Sequence, residues 1–461
     1  MTAVARARLA ELDLPMLPRP DAAPELPASI HAARLERLRA RAAERGYDRL
    51  VLYADREHSA NLAWLSGFDP RFEEAILVMG ATGRPVLLAG NECIGLARVA
   101  RLPVEAVLFQ ELSLPSQPRD RSEPLETILA ETGIGAGARV GVVGWKAPQD
   151  RAWIEAPAFL VDTLRSLVGP SGSVVNATDL LIDAADGLRV VNEPDQIAAF
   201  EHAACETSSG VRNLLWGLRP GMREREAVRL LEWSGAPLSC HLMLTAGPRA
   251  RYGLLSPGDR VIERGDPLTV AFGIWGALNC RAGFVVEGGS ELPEGVRDYV
   301  GKLVGPYFEA VAAWYAALRV GVTGGELQSI VDEHLGDRFF GIFLNPGHQI
   351  GLDEWVGSPI FPGSPIELRS GMVLQVDIIP ATGGPYFTTN IEDGVAIADA
   401  TLRATLAAAY PDLWARVTAR RAFMHEALGI ALHPDVLPLS NIPAYLPPFL
   451  LRPDRAMTLA G

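Results

Sequence analysis

An internal repeat in the second half of the chain constrains the fold more than any other feature. LRPGMREREAVRLL from residue 218 aligns without gaps with LRVGVTGGELQSIV from residue 318, which places Gly221 over Gly321 and Glu226 over Glu326. Each copy is typical of a helix end, a glycine turn and a second helix, and apolar strand-like stretches follow both. The pattern predicts a domain made of two related αβ halves, with chance similarity between Ala-, Leu- and Arg-rich helices as the alternative.

The rest of the chain divides around this domain. Several prolines predict an arm over 1–30, and alternating helix and strand patterns predict an α/β domain over 31–190. Asn192 is the expected N-cap of a helix whose first turn holds Glu193, Pro194 and Asp195, and this helix opens the repeat-containing domain, 191–400. A helix at about 402–429 and a proline-rich tail complete the segment 401–461. The predicted fold class is α/β.

Composition excludes several classes of function. A net charge of -13 without a basic stripe argues against a nucleic-acid partner. No apolar run approaches the length of a membrane helix, so we expect a soluble, cytoplasmic protein. The cysteines are scattered without a CxxC pair and are expected to be reduced; they are Cys93, Cys205, Cys240 and Cys280. Cys280 adjoins Arg281, so a nucleophilic role is weighed against the commoner inert packing.

Three strings over about 192–400 carry a family resemblance: NPGHQIGLDEW, SGMVLQVDIIP and NIEDGVAIAD, in this order. They resemble the C-terminal domain of the pita-bread family, which includes methionine aminopeptidase, aminopeptidase P, prolidase and creatinase. The upstream segment GYDRLVLYADREHSANLAWLSGFDPRFEEAILVM is similar to the N-terminal domain of aminopeptidase P and creatinase. The resemblance implies a creatinase-like N-terminal α/β domain, a C-terminal pita-bread domain and a hydrolase.

The resemblance also implies an altered metal site. Peptidases of the family hold two divalent metals with two Asp, one His and two Glu. The corresponding positions here are His348, Asp377 and Glu392, with Ala271 and Ala282 in place of the Asp pair. Because a methyl group cannot bind a cation, we expect no cofactor. The alternative is a single Mn or Zn ion on His348, Asp377 and Glu392.

The implied function is a creatinase-like, metal-independent hydrolysis of a C–N bond in a small cationic or zwitterionic substrate. His348 would carry the proton, and Asp377 and Glu392 would bind the cationic group. Other catalytic histidines of the family fall near Leu254 and on Trp355, so that chemistry does not transfer whole. The alternatives are an aminopeptidase P- or prolidase-like Xaa-Pro peptidase with a single metal, and a catalytically silent member that binds a ligand or partner.

Further candidates for substrate binding are Arg281, His241 and Trp355. Arg281 precedes a lost Asp position, and strand alternation decides whether it reaches the carboxylates or forms a structural ion pair. His241, in CHLMLT, has a satisfied core histidine as its alternative. By analogy with creatinase, Arg71 with Phe68 would bind a substrate carboxylate across a homodimer interface, the N-terminal domain approaching the partner's cleft. A solvated charge cluster is the alternative for this segment.

Overall fold

The computed structural model describes residues 6–460 and divides the chain into two compact units. The small unit spans Leu26–Val190, and the large unit combines the residues up to Glu25 with those from Val191 onward. Strand β1 (Arg8–Glu11) pairs antiparallel with Arg455–Thr458, so the N-terminal segment is part of the large unit. None of the helices described over this range is long and apolar enough to cross a membrane.

The small unit is a six-stranded mixed sheet with helices, in the strand order β5-β4-β3-β2-β6-β7. Its buried core is rich in Val, Leu and Ile from the strands and from the helix faces turned toward them. Its elements are α1 (Ala28–Glu44), β2 (Arg49–Ala54), α2 (Ala60–Ser66), β3 (Ala75–Gly80), β4 (Val86–Ala89), β5 (Glu105–Leu108), α3 (Leu125–Glu131), β6 (Arg139–Val143), α4 (Ala158–Val168), β7 (Ser173–Asn176) and α5 (Asp179–Ile182).

The large unit is built on a seven-stranded antiparallel sheet in the order β11-β12-β13-β10-β9-β8, with β14 also paired to β13. Its elements are α6 (Pro194–Gly217), α7 (Glu224–Ala227), β8 (Met243–Ala246), β9 (Pro267–Ile274), β10 (Ala277–Phe284), α8 (Gly305–Ala317), α9 (Gly324–Leu335), β11 (His348–Gln349), β12 (Val373–Asp377), β13 (Asn390–Ile397), α10 (Ala400–Ala409), α11 (Pro411–Glu426), β14 (Val436–Pro438) and β15 (Arg455–Thr458).

The two repeat copies adopt the same local structure. Gly221 and Gly321 have φ angles of 94° and 85°, the left-handed region in which a side chain is strained. Glu226 and Glu326 each accept a hydrogen bond from the backbone N–H three residues earlier, at 2.9 Å in both copies. Each copy therefore ends a turn and caps the following helix by the same contacts, as the alignment of the two sequences predicts.

The two faces of the large sheet have different surroundings. Helices α6 and α8 cover one face: Thr207 Oγ1 donates to Asn279 Oδ1 at 2.6 Å, and the Tyr307 hydroxyl accepts from Ile391 N at 2.8 Å. Because successive side chains of a strand point to opposite faces, the neighbour of Asn279, Cys280, lies on the other face. The candidate site occupies that second face.

Two expectations about helix ends were wrong. Asn192 does not cap α6; its side chain donates to the Gly371 carbonyl oxygen, and Glu193 stands at the N-cap position. The predicted helix over about 402–429 is two helices, α10 and α11. The break lies at Tyr410, because Pro411 has no N–H to continue the ladder and instead begins the second helix.

Candidate functional site

His348 occupies a buried position that the preceding turn determines. Gly347 has a φ of 126°, and a Cβ there would lie 2.8 Å from the Gln375 carbonyl oxygen, so the turn requires glycine. In β11, His348 is the register partner of Gln375 of β12. Its side chain is fully buried.

Two carboxylates share the sheet face on which the imidazole lies. Asp377 of β12 and Glu392 of β13 are register partners, so their side chains lie next to each other on the same face. Both are buried, and they lie 3.9 Å (Asp377 Oδ2) and 3.4 Å (Glu392 Oε1) from His348 Nε2. The structure thus brings together the three residues that the sequence analysis selected as catalytic.

Glu354 is a fourth member that sequence reasoning missed. Its Oε1 lies 3.2 Å from His348 Nε2, nearer than either of the other carboxylates. Two backbone hydrogen bonds close its loop: Gln349 N donates to Gly357 O and Val356 N to Gln349 O. The loop closure folds Glu354 back over the imidazole. The only signal in the sequence was an acidic residue beside Trp355 in GLDEW.

The hydrogen-bond pattern of His348 determines its tautomer. Nδ1 lies 3.2 Å from the Gln349 carbonyl oxygen, which can only accept, so Nδ1 carries a proton. In the neutral ring, Nε2 therefore turns a lone pair toward three carboxylates. Nε2, Asp377 Oδ1 and Glu392 Oε1 are buried and have no hydrogen bond in the described part of the chain. A positive charge among these atoms, either a proton or a metal cation, is required to offset their repulsion.

Burial and mutual repulsion govern the acidity of the cluster. Burial lowers the pKa of His348, but Glu354 and Glu392 outweigh it and raise that pKa to about 10. Burial and the Glu392 charge raise the pKa of Asp377 well above its usual range. The pKa of Glu392 is also raised, by burial and by Glu354, although His348 opposes the shift. Without a metal, the cluster therefore retains protons at neutral pH.

Trp355 covers the imidazole from the solvent side. Its ring stacks on that of His348 with centroids 4.1 Å apart and an interplanar angle of 14°, while 38% of the residue remains exposed. Glu354, next to it, is partly exposed. These two residues form the solvent-facing edge of an otherwise buried cluster.

Comparison with known proteins assigns the segment that holds this cluster. Residues 199–402 match the metallopeptidase family M24. The chain is 26% identical over 231 residues to an uncharacterized peptidase, YqhT, of Bacillus subtilis; the match covers 47% of this chain and 62% of that protein.

Solved structures give the same fold over most of the chain. The X-Pro aminopeptidase of Thermotoga maritima has a TM-score of 0.62 at 18% identity, covering 89% of this chain and 98% of that one. The dipeptidase PepE of Mycobacterium ulcerans has a TM-score of 0.60 at 20% identity, covering 81% and 95%. The prolidase of Pyrococcus horikoshii has a TM-score of 0.61 at 17% identity, covering 79% of this chain and 95% of that one. At these identities the likeness shows the fold, which confirms the predicted α/β pita-bread class.

Arg281 lies behind the cluster of His348, Asp377 and Glu392 rather than in it. It forms a fully buried ion pair with Asp393 at 2.8 Å, on the helix-covered face. Strand alternation explains this placement, because Arg281 and Asp393 each follow a site-face residue, Cys280 and Glu392, in register-paired strands. Of the two options left open by the sequence, the structural ion pair is the one found, so Arg281 does not neutralise Asp377 and Glu392.

The remaining candidates lie outside the cluster. His241 precedes β8 instead of lying within it; it is exposed, and its Nε2 donates to the Leu254 carbonyl oxygen at 2.7 Å. The expectation of a core strand position was therefore wrong, because the strand begins only at Met243. In the small unit, Arg71 is exposed beside Asp69, whereas Phe68 is buried. A dimer-shared site built on Arg71 stays a prediction.

The donor set fits a divalent metal. His348, Glu354 and Glu392 each offer one ligand atom, all within 4.8 Å of one another, and Asp377 lies beside them. Imidazole with carboxylate is a usual set for zinc or manganese. Ala271 and Ala282, where the resemblance predicts that the family's Asp pair is lost, have no donor atom and are buried. The described residues therefore offer donors for a divalent cation on this face of the sheet.

Proposed function

We propose that the chain is a peptidase-like hydrolase whose site takes one divalent cation at His348, Glu354 and Glu392. The observation that carries the proposal is the buried His348 Nε2, which faces three carboxylates and makes no hydrogen bond in the described part of the chain. A cation at that point would satisfy the imidazole and the carboxylates together. The description of the matched family as metallopeptidases supports the same choice.

Side chains of the cluster would supply the proton transfer, the orientation of the imidazole and the exclusion of water. When bound, the cation would supply Lewis-acid polarisation of the scissile carbonyl group. Burial and the Glu392 charge raise the pKa of Asp377, so its protonated form can deliver a proton to the departing nitrogen. The Nδ1–H bond to the Gln349 carbonyl oxygen keeps the His348 ring oriented, and Trp355 keeps bulk water from it.

The substrate class follows from the size and charge of the site. The cluster is acidic and mostly buried, with Glu354 partly exposed at its edge, which suits a small substrate that carries an amine or guanidinium group. The solved relatives are named for dipeptides and X-Pro substrates, so dipeptides with a free amino group, Xaa-Pro among them, are the first probes.

Metal stoichiometry is the first test. Metal-stripped protein is titrated with Zn²⁺ and Mn²⁺ by calorimetry, and elemental analysis counts the bound ion. One ion per chain is expected, and binding should be lost in His348→Gln and Glu392→Gln. Glu367→Gln, a change at an exposed glutamate, is the matched control and should bind as wild type. Two ions per chain, or equal binding by all four proteins, would contradict the proposal.

A metal-independent, creatinase-like hydrolase is the second candidate. The observation that favours it is the raised pKa of His348, about 10, because a protonated imidazole can itself neutralise the carboxylates. Such an enzyme would act on a small guanidino or amine substrate without any added ion. Hydrolysis of a C–N bond that persists undiminished after chelation would favour this candidate over the single-metal one.

A further inference from the structure

Cys280 lies in the middle of the site face. Its register partners are Ala271 in β9 and Glu392 in β13, so the three side chains follow one another across the sheet. Ala282, two residues further along β10, shares that face. A sulfur atom therefore stands between Ala271 and Glu392 on this face of the sheet.

One carboxylate connects this thiol to the imidazole. Cys280 Sγ donates to Glu392 Oε2 at 2.8 Å, while Glu392 Oε1 lies 3.4 Å from His348 Nε2 without a hydrogen bond. All three side chains are at least nine-tenths buried. The thiol thus contacts one oxygen of Glu392 while the imidazole faces the other, and in the described part of the chain Nε2 and Oε1 have no hydrogen bond.

The surroundings of Cys280 are also rich in sulfur. Met243 and Ala271 belong to the same buried cluster, and Cys240 packs against it. The half of the site without carboxylates is therefore lined by polarizable side chains. Thiolate and thioether groups favour zinc and other soft ions, whereas carboxylates favour manganese, magnesium and calcium.

We propose that Cys280 is a further metal ligand, so that the single cation held by His348, Glu354 and Glu392 also takes the thiolate of Cys280. The proposal rests on the single-metal function proposed above. On binding, the thiol gives its proton to solvent, and sulfur turns from Glu392 to the cation. The site then prefers zinc to manganese.

Cobalt absorption tests this independently of activity. Metal-stripped protein is loaded with Co²⁺, and the thiolate-to-cobalt charge-transfer band is recorded in the near ultraviolet. Wild type should show the band. Cys280→Ser and Cys280→Ala should bind Co²⁺ without it and should lose Zn²⁺ affinity by at least about tenfold, with a smaller change for Mn²⁺. Cys93→Ser is the matched control and should keep the band, since Cys93 lies in the small unit and donates to the Pro70 carbonyl oxygen.

The outcomes separate the two proposals. Co²⁺ bound by wild type with no charge-transfer band would refute ligation by Cys280 and leave the single-metal site standing. A band that survives in both folded Cys280 variants but disappears in Cys240→Ser would also refute it, by moving the role to Cys240. Failure of wild type to bind Co²⁺, Zn²⁺ or Mn²⁺ at all would refute the single-metal function itself. Circular dichroism establishes that each variant is folded before it is compared.

Discussion

Replacing Arg281 by methionine tests whether this residue supports the sheet from behind the site. The guanidinium is 1% exposed and pairs with Asp393, which is fully buried. It also donates to the carbonyl oxygens of Tyr445 at 2.7 Å and Ile442 at 2.6 Å. Methionine fills much of the same volume but supplies none of these donors.

The expected cost follows from what the substitution leaves behind. Asp393 would keep the donors Asn279 Nδ2 at 2.6 Å and Ala444 N at 2.8 Å, but it would lose its positive partner. Removing one partner of a buried pair costs about 3–5 kcal/mol of the free energy of unfolding. Burial already raises the pKa of Asp393 against the effect of Arg281, so the carboxyl should take up a proton in the variant, which limits the loss to that range.

The assay combines urea unfolding of the metal-free protein with hydrogen exchange of β10. Arg281→Met should lower the unfolding midpoint and speed exchange in β10, and Asp393→Asn should do the same. The double variant should lose less than the sum, by about 1–3 kcal/mol of interaction free energy. Arg264→Met is the control: Arg264 pairs with Glu287 and Glu291 at the surface and should leave the midpoint near that of wild type.

The number of bound metal ions shows whether Arg281 supports the sheet or takes part in the site. If Arg281 only supports the sheet, folded Arg281→Met binds the same number of ions as wild type. A variant with an unchanged unfolding midpoint and lost metal or substrate binding would refute the reasoning and return Arg281 to the site.

Three further predictions concern the turn, the cover and the base of the large unit. Gly347→Ala should lower the free energy of unfolding in urea by about 2–3 kcal/mol and weaken metal binding, because the added Cβ meets a backbone oxygen of β12. Gly363→Ala is the control: Gly363 also has a positive φ but has open space around it, so the loss should be about 1 kcal/mol. Trp355→Ala should speed modification of His348 by diethyl pyrocarbonate, and an unchanged rate would show that the indole does not shield the ring. Burial raises the pKa of Glu201, but two arginines of α11 outweigh it, so the pKa lies below its usual value of about 4.5. The ion pairs therefore stabilise the fold above that usual value, and their contribution is lost as the pH falls through the lowered pKa. Glu201→Gln should flatten the dependence of thermal stability on pH in that acidic range.

The sequence contained the parts of the fold that depend on local interactions. The repeat turns could be predicted because a positive φ calls for glycine, as at Gly221 and Gly321, and because a capping glutamate acts on a backbone N–H three residues away. The break between α10 and α11 was equally local, at Pro411, but the helical pattern on both sides of it concealed it. The alternation of side chains along β10 alone determines which face of the sheet Arg281 lies on. That its partner is Asp393 is determined by the register between β10 and β13.

The composition of the site was decided by contacts between distant segments. The family motifs indicated His348, Asp377 and Glu392, since order and spacing survive along the chain. Glu354 joins them only because two backbone hydrogen bonds close its loop over the imidazole. Cys280 reaches Glu392 only because β10 and β13, more than a hundred residues apart in sequence, pair in that register. Residue type and local geometry are encoded nearby in the sequence, but the neighbours of a side chain across a sheet are determined only when the strands pair.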